Sequence, residues 1–213
     1  MPSPRADCAL LALTCVLLRR SGAAALAGST LGCAIHVAPP VNVRDPVTAY
    51  IADYGYHASL LLPRDESTLA EYAYGEWGWF ALGKDQWYRA LPAIAAPTQG
   101  TLARRDLEAR TPEALRRGLG LEALHEIRVE REAARATLAR LDRRFDAAAD
   151  RKVYNPSVGM WFVPDPLPYS CLCQCNTAVA AWLDELGCRT CGLAVSAMFE
   201  VPAPERTEGG GSP

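Results

Sequence analysis

The order of the predicted secondary-structure elements is the feature that most constrains the fold of this chain. Strand-like segments dominate up to residue 130, and the strongest helical pattern covers residues 131–150, with an apolar stripe made of Ala134, Leu138, Leu141 and Phe145. Strands and helices are therefore partly segregated along the chain. About five or six strands and three or four helices in this order predict an α+β fold rather than a doubly wound parallel sheet.

Short runs of β-branched and aromatic residues, bounded by Gly, Pro or polar residues, mark the expected strands. We expect strands at residues 47–51, 56–62, 70–74, 101–104, 125–130 and 193–201. Further helices are expected at residues 84–90, after Thr111, and at residues 177–186, where Gly187 ends the helix. Residues 154–169 contain four prolines and are expected to form an irregular loop.

The composition favours a folded protein that does not bind nucleic acid. Half of the 213 residues are hydrophobic, which is enough for a sizeable core. The 22 Lys and Arg residues are balanced by 24 Asp and Glu residues, and no basic face is evident, so we predict no nucleic-acid partner. The sequence contains no pattern that indicates a cofactor, and we predict none.

The first 37 residues read as an export signal or membrane anchor rather than as part of the folded domain. Residues 8–18 form an apolar run of eleven, which is too short to span a bilayer. Arg19 and Arg20 follow, and then small residues as far as Cys33, in the order of a positive region, a short apolar region and a cleavage zone. We therefore expect an exported protein, in the cell envelope or membrane-anchored on the periplasmic side.

Gly32 and Cys33 resemble the end of a bacterial lipoprotein signal, in which the cysteine is acylated, although Thr30 stands where Leu is usual. A start at Val16 or Leu17 would place the arginine pair at the N terminus. The alternative is a plain secretory signal or signal anchor with an incidental Cys33. The predicted organisation is an export segment, a Pro-rich linker, a folded domain and a disordered tail, at residues 1–37, 38–46, 47–203 and 204–213.

Cys175 is the candidate nucleophile, because it lies where an amphipathic helix begins. A helix N-terminus can lower the pKa of a thiol, and the thiolate is the reactive form of cysteine. Backbone N–H groups around the following Asn176 are candidates for an oxyanion hole. This arrangement predicts thiol-based nucleophilic catalysis at Cys175.

His57 is the candidate general base, on a predicted strand whose face it shares with Ser59. A Cys–His pair needs a third polar group that orients the imidazole. Glu71, on the next predicted strand, is the best orienting group by spacing, and Glu76 is the alternative. The competing interpretation is a half-buried histidine that only packs and a glutamate that faces solvent.

Cys175 also belongs to a cluster of five cysteines, which includes Cys171, Cys173, Cys188 and Cys191. Such a cluster can hold zinc, although C-x-C-x-C fits the usual metal hooks poorly. In an exported protein a disulfide is more ordinary, either between Cys188 and Cys191 or between Cys171 and Cys173. The predicted role of Cys175 therefore competes with two structural roles.

Tryptophans form a second cluster, at Trp77, Trp79 and Trp87. Their aromatic rings can line a groove for an acyl or sugar-bearing substrate, or can pack as core against the neighbouring strands. Trp182, at helical spacing, is expected in the core.

Three segments carry a family resemblance: residues 54–63 around His57, residues 71–76 and the Cys175-Asn-Thr-Ala helix start. Over about residues 47–201 the chain resembles domain-of-unknown-function family 2459, an uncharacterised bacterial family. That family has a His-x-Gly strand ending in Leu-Pro, a Glu-x-Gly-x-Gly strand and a Cys-Asn-Thr-Trp helix start. This chain departs from the pattern at Ala58-Ser59, Tyr74 and Ala178.

The family is similar to the circularly permuted NlpC-like branch of the papain-type cysteine hydrolases. The resemblance implies a papain-like antiparallel sheet packed on helices, with the His strand before the Cys helix. It also implies Cys175 as nucleophile, His57 as base, Glu71 as orienting group and a retained Asn176.

The function predicted from these observations is an envelope-located thiol hydrolase or acyltransferase. Its substrate would be an amide or ester, either peptide or lipid-linked, and it would contact the membrane through an N-terminal anchor or lipid. The alternatives are a non-catalytic envelope lipoprotein or binding module on the same fold, and a zinc-stabilised module.

Overall fold

The computed structural model describes residues 34–84, 96–108, 111–192 and 198–202, which form two β-sheets and three α-helices. The helices are α1 (Pro112–Leu119), α2 (Arg131–Asp146) and α3 (Cys175–Glu185). The strands are β1 (Ile35–Ala38), β2 (Pro46–Asp53), β3 (Ala58–Pro63), β4 (Thr68–Glu76), β5 (Thr98–Glu108), β6 (Ala123–Glu130), β7 (Val153–Asn155), β8 (Met160–Tyr169), β9 (Arg189–Gly192) and β10 (Phe199–Glu200).

The larger sheet has seven strands in the order β6-β2-β3-β4-β5-β8-β7, and each pair of neighbours is antiparallel. In the smaller sheet β1 lies between β10 and β9, parallel to β10 and antiparallel to β9. The predicted α+β class with a mostly antiparallel sheet is confirmed. Most neighbours in the large sheet are also neighbours in the chain, as expected when short turns connect antiparallel strands.

Helices α2 and α3 cover one face of the large sheet. Alternate residues of β3 and β4, such as Leu60 and Tyr72, point toward these helices and are fully buried. The helices contribute the predicted stripe of α2 together with Val179, Trp182 and Leu183 of α3, so the predicted core position of Trp182 is confirmed. Two smaller apolar clusters lie on the opposite face of the sheet, one of them around Ala73 and Phe162 and the other around Leu61 and Leu115.

The folded domain begins earlier than the predicted boundary at residue 47. Strand β1 lies inside the stretch assigned to the export segment and linker, and it pairs with both β9 and β10. Ile35 and Val37 are buried, whereas His36 and Ala38 point outward. This alternation identifies a half-buried strand. The sequence analysis did not predict it, because a Pro-rich segment follows these residues and signal-like residues precede them.

The predicted loop at residues 154–169 is wrong, because most of it forms the strands β7 and β8. Only Met160, Trp161 and Phe162 of β8 pair with β7, so the rest of β8 has a single neighbour, β5. Pro164, Pro166 and Pro168 lie in that remaining part. Proline is tolerated where one edge of a strand needs no N–H donors, which explains how a proline-rich segment joins the sheet.

Several predictions concern residues outside the described ranges. They include the export signal at residues 1–33 with the lipidation site Cys33, residues 85–90 of one expected helix, and the tail from residue 204. Of the expected strand at residues 193–201, the described part forms β10 at Phe199–Glu200. None of the helices formed by the described residues is both long and apolar enough to cross a membrane.

Candidate active site

Helix α3 starts at Cys175, two residues before the predicted start. Gln174 caps the helix, and its backbone N–H donates a hydrogen bond to Thr177 Oγ1 over 2.8 Å. This reciprocal capping satisfies donors of the first turn. The candidate nucleophile is therefore the first residue of the helix, where backbone N–H groups have no intrahelical acceptor.

The Cys175 thiol lies at the helix start, 3.5 Å from Asn176 Oδ1. The backbone N–H groups of Ala58, Asn176 and Cys175 itself act to lower its pKa. Ala58 is the first residue of β3 and directly follows His57. The structure therefore places the start of the predicted Cys helix near the start of the predicted His strand, but no hydrogen bond among the described residues joins the His57 imidazole to the Cys175 sulfur.

The pKa of the Cys175 thiol departs from its ordinary value in the direction opposite to the predicted one. The side chain is only 4% exposed, and burial raises its pKa to about 11, although the three backbone N–H groups oppose this shift. Loss of hydration disfavours the thiolate more than the helix start favours it. The expectation of a lowered pKa considered the helix end and ignored burial, so it is wrong for this arrangement.

His57 lies immediately before β3 with its ring between two aromatic side chains. The ring centroid is 4.9 Å from that of Phe80 and 6.2 Å from that of Tyr54. Burial lowers the pKa of His57 to about 4, while the nearby charge of Glu71 acts in the opposite direction. The imidazole is therefore neutral at pH 7, and its buried Nδ1 atom has no hydrogen-bond partner among the described residues.

Phe80, the ring partner of His57, belongs to a single π-helical turn formed by Trp77–Ala81. Glu76 caps this turn, since its Oε2 atom accepts a hydrogen bond of 2.6 Å from the backbone N–H of Trp79. Glu76, the alternative orienting residue, thus holds the segment that carries Phe80. Trp77 packs on the apolar cluster of the same sheet face, which favours the core interpretation for this tryptophan, whereas Trp87 lies outside the described residues.

Gly75 allows Phe80 to lie against β4. A Cβ atom built on Gly75 would come within 2.4 Å of the Phe80 ring, which is closer than real contacts allow. Asn155 holds the same segment from the other side, because its Nδ2 atom donates a hydrogen bond of 2.7 Å to the Phe80 carbonyl. The position of Phe80, the ring partner of His57, therefore depends on Gly75 and on the Asn155 amide.

Glu71 is fully buried on β4, and both oxygens of its carboxylate accept hydrogen bonds from neighbouring side chains. Its Oε1 atom accepts hydrogen bonds from Tyr54 at 2.7 Å and from Ser59 at 2.6 Å. Its Oε2 atom accepts one from Arg105 Nε at 2.6 Å, and Arg105 Nη2 also donates to the Tyr54 hydroxyl at 2.8 Å. Glu71 thus lies close to His57 and acts on it through its charge, while its hydrogen bonds go to these three residues.

A cavity of about 340 Å³ opens beside His57, on the sheet face opposite to α3. Besides His57, its polar wall is formed by Tyr54, Glu71, Arg105 and Ser157. The rest of the wall is mostly apolar and is formed by Ala73, Tyr74, Gly75, Phe80, Ala103, Leu119, Val158, Met160 and Phe162. A volume at the lower end of the range for small-molecule sites, with few polar groups, is typical of a ligand pocket.

The other clustered cysteines do not form the predicted structural sites. The described cysteines form no disulfide bond, and within the described ranges no three His, Cys, Asp or Glu side chains lie close enough together to hold a metal ion. Cys171 and Cys191 are exposed, whereas Cys188 is buried and its pKa is raised to about 12. The structure therefore gives no support to the zinc alternative or to the two expected disulfides.

Comparisons of the chain with protein-family models, with curated proteins and with solved structures found no match.

The sequence analysis did not identify three residues that shape this site: Phe80, Arg105 and Tyr54. It places Ser59 on the same strand face as His57, but it does not predict the hydrogen bond from Ser59 to Glu71. Arg105 is directly opposite Glu71 in the β4–β5 pairing, and that register was the signal that could have identified it. Finding Phe80 required the position of the π-helical turn, which the aromatic pattern alone does not define.

Proposed function

We propose that the protein is a thiol hydrolase or acyltransferase in which Cys175 attacks an amide or ester and His57 acts as the base. The observation that carries this proposal is the position of Cys175 as the first residue of α3. The backbone N–H groups of Asn176 and of Ala58, the residue that follows His57, act to lower the pKa of its thiol. A second support is the unpartnered, buried Nδ1 atom of His57, because buried polar atoms without partners are rare outside functional sites.

The reaction begins when the Cys175 sulfur bonds to the substrate carbonyl carbon and the thiol proton passes to the imidazole of His57. The carbonyl becomes an oxyanion, for which the N–H groups of Cys175 and Asn176 at the helix start are the nearest donors. Collapse of this intermediate breaks the C–N or C–O bond, and the imidazolium returns its proton to the leaving group. Water or an acceptor alcohol or amine then attacks the thioester and regenerates the thiol.

The raised pKa of Cys175 and the lowered pKa of His57 define the resting state of this pair. At pH 7 the thiol and the imidazole are both neutral, so the thiolate–imidazolium pair is not preformed. Proton transfer must therefore accompany attack on the carbonyl, as in general-base catalysis. The orienting contribution that Glu71 makes to His57 is electrostatic, because a carboxylate near the ring favours the imidazolium that forms during attack.

The finer fold assignment and the location belong to the same proposal. An antiparallel sheet with a His strand that precedes a helix starting at Cys is the order expected of a permuted NlpC-like, papain-type domain. The export segment of residues 1–37 would place the enzyme at the cell envelope, held by an N-terminal anchor or by a lipid on Cys33. A peptide or lipid-linked amide or ester is the substrate class consistent with that location.

The direct test is to trap the acyl-enzyme. Purified protein is mixed with p-nitrophenyl acetate, and the acylated residue is located by peptide mass spectrometry. In the wild type we expect a hydroxylamine-sensitive thioester on Cys175, and this thioester should be absent from Cys175→Ser. In His57→Ala it should form at least about 100-fold more slowly, since a positioned base contributes about that factor or more.

Cys188→Ala is the matched control, because Cys188 is as buried as Cys175 and its thiol pKa is also raised. Acylation of Cys175 should be unchanged in this variant. If Cys175 and Cys188 react equally, or if His57→Ala reacts as fast as wild type, the enzyme proposal fails. The non-catalytic binding module is then the better interpretation.

A further inference from the structure

The structure assigns a ligand of its own to the cavity beside His57: a small, uncharged aromatic molecule that carries a carbonyl oxygen and an N–H group, as an aromatic carboxamide does. Cys175 is not among the residues of the cavity wall, and α3 packs on the opposite face of the sheet. The inference therefore goes beyond the proposed function and does not depend on it. Three features of the cavity carry it: its shape, its charge balance and its hydrogen-bonding groups.

Small side chains on neighbouring strands form the floor of the cavity. Ala73 of β4 is directly opposite Ala103 of β5, and Ala103 is directly opposite Phe162 of β8. All three residues line the cavity. Because the two alanines fill little space beside a large aromatic side chain, they leave a hollow on this face of the sheet. An apolar ligand that enters the hollow gains transfer free energy.

The volume and the aromatic wall favour a ligand with two rings. An engineered cavity of about 150 Å³ binds benzene, so a cavity of about 340 Å³ has room for two fused rings. Phe80, Phe162 and the His57 imidazole are aromatic groups of the wall, and aromatic rings gain from offset-stacked or edge-to-face contacts with each other. His57 and Phe80 already form such a pair, with 4.9 Å between their ring centroids.

The charges of the wall cancel. Glu71 and Arg105 are the only acidic or basic side chains among the described wall residues besides His57, and they form an ion pair over 2.6 Å. His57 is neutral at pH 7, because burial lowers its pKa to about 4. A charged ligand would lose its hydration here without meeting an unpaired opposite charge. An uncharged ligand is therefore favoured.

Arg105 has hydrogen-bond donors left for a ligand oxygen. Its guanidinium carries five N–H bonds, and its three hydrogen bonds go to Glu71, to the Tyr54 hydroxyl and to the Val158 carbonyl. These bonds hold the guanidinium at the cavity wall, where the Arg105 side chain is 18% exposed. The other two N–H bonds have no acceptor among the described residues, so a ligand carbonyl oxygen is a suitable partner.

His57 supplies the complementary acceptor. One nitrogen of a neutral imidazole donates a hydrogen bond and the other accepts one, and the buried Nδ1 atom of His57 has no partner among the described residues. An N–H group of the ligand would donate to the imidazole while the carbonyl oxygen of the same group accepts from Arg105. A carboxamide on an aromatic ring offers both.

The test measures the affinity of 2-naphthamide by isothermal titration calorimetry. We expect one saturable site per chain, with the same dissociation constant in wild type and Cys175→Ala, because Cys175 does not line the cavity. Absence of saturable binding to the wild type, or its loss in Cys175→Ala, would overturn the inference. Neither result bears on the acylation of Cys175, which tests the proposed function separately.

A series of matched ligands tests the chemical class. At pH 7, 2-naphthoate is an anion and 2-naphthylmethylamine is a cation, and both should bind at least about tenfold more weakly than 2-naphthamide. The ketone 2-acetylnaphthalene keeps the carbonyl but lacks the N–H group, and it should bind about fivefold more weakly. Tighter binding of either charged ligand would contradict the uncharged class, and equal binding of the ketone would contradict the role of His57 as acceptor.

Cavity-filling variants test the location. Ala103→Leu fills the floor and should weaken 2-naphthamide binding by at least about tenfold, and Ala73→Val tests the same space if Ala103→Leu does not fold. Ala139→Leu is the matched control, since Ala139 is exposed on α2, and it should leave the affinity unchanged. Unchanged affinity in a folded Ala103→Leu or Ala73→Val variant would show that the ligand binds elsewhere and would refute the assignment.

Discussion

Replacement of Glu71 by Gln tests whether this buried carboxylate supports the fold through its charge. Glu71 is fully buried and Arg105 is 18% exposed, with 2.6 Å between Nε and Oε2. Gln keeps the size and an oxygen that can accept from Tyr54 and Ser59, but it removes the charge that compensates Arg105. Breaking a buried ion pair by removing one partner costs about 3–5 kcal/mol, which corresponds to a fall in Tm of about 10 °C for a domain of this size.

The measurement is urea unfolding followed by circular dichroism, together with a double-mutant cycle. We expect Arg105→Met to be similarly destabilised, because it leaves Glu71 buried without its cation. The double variant Glu71→Gln/Arg105→Met should lose clearly less stability than the sum of the two single variants. Glu126→Gln is the control, since Glu126 is exposed on β6 of the same sheet. Its free energy of unfolding should change by less than about 0.5 kcal/mol.

Two results would refute this reasoning. The first is a Glu71→Gln variant with an unchanged unfolding midpoint and a large loss of Cys175 acylation, which would make Glu71 an orienting group for His57 and not a structural charge. The second is strict additivity in the double-mutant cycle, which would mean that the ion pair with Arg105 contributes no coupling. A folded variant that loses both stability and activity is expected, because the charge of Glu71 also acts on His57.

Two further predictions concern Cys175 and Gly75. Because the thiol pKa is raised to about 11, the rate of Cys175 alkylation by iodoacetamide should rise about tenfold per pH unit from pH 7 to 10; a plateau near pH 6 or 7, measured by peptide mass spectrometry, would instead show a preformed thiolate–imidazolium pair. Gly75→Ala should displace Phe80 and slow acylation in the p-nitrophenyl acetate assay by more than the unfolding caused by its lower Tm can explain. An unchanged acylation rate would show that Phe80 does not position His57.

Local patterns predicted the helix layer well. The stripe on α2 from Ala134 to Phe145 and the core position of Trp182 followed from the spacing of apolar residues, because helical periodicity is a property of neighbouring residues. Strand β8 could not be predicted in the same way. Its prolines indicate a loop until it is known that one edge of the strand has no neighbour, and that fact depends on the pairing of the whole sheet.

The candidate site shows the same division between local and long-range information. The positions of Cys175 at a helix start and of His57 at a strand start follow from short segments. The thiol pKa does not, because it depends on how deeply the packing of α3 on β3 and β4 buries the sulfur. Likewise, the partners of Glu71 depend on the register that places Arg105 opposite it.

The start of β3 determines how the two candidate catalytic residues can interact. Consecutive residues of a strand point to opposite faces, so the side chain of His57 lines the cavity while the next residue, Ala58, turns toward α3 and its N–H acts on the pKa of the Cys175 thiol. Proton transfer from Cys175 to His57 therefore has to occur around the end of the strand, and a His57→Ala variant that is acylated as fast as the wild type would show that it does not.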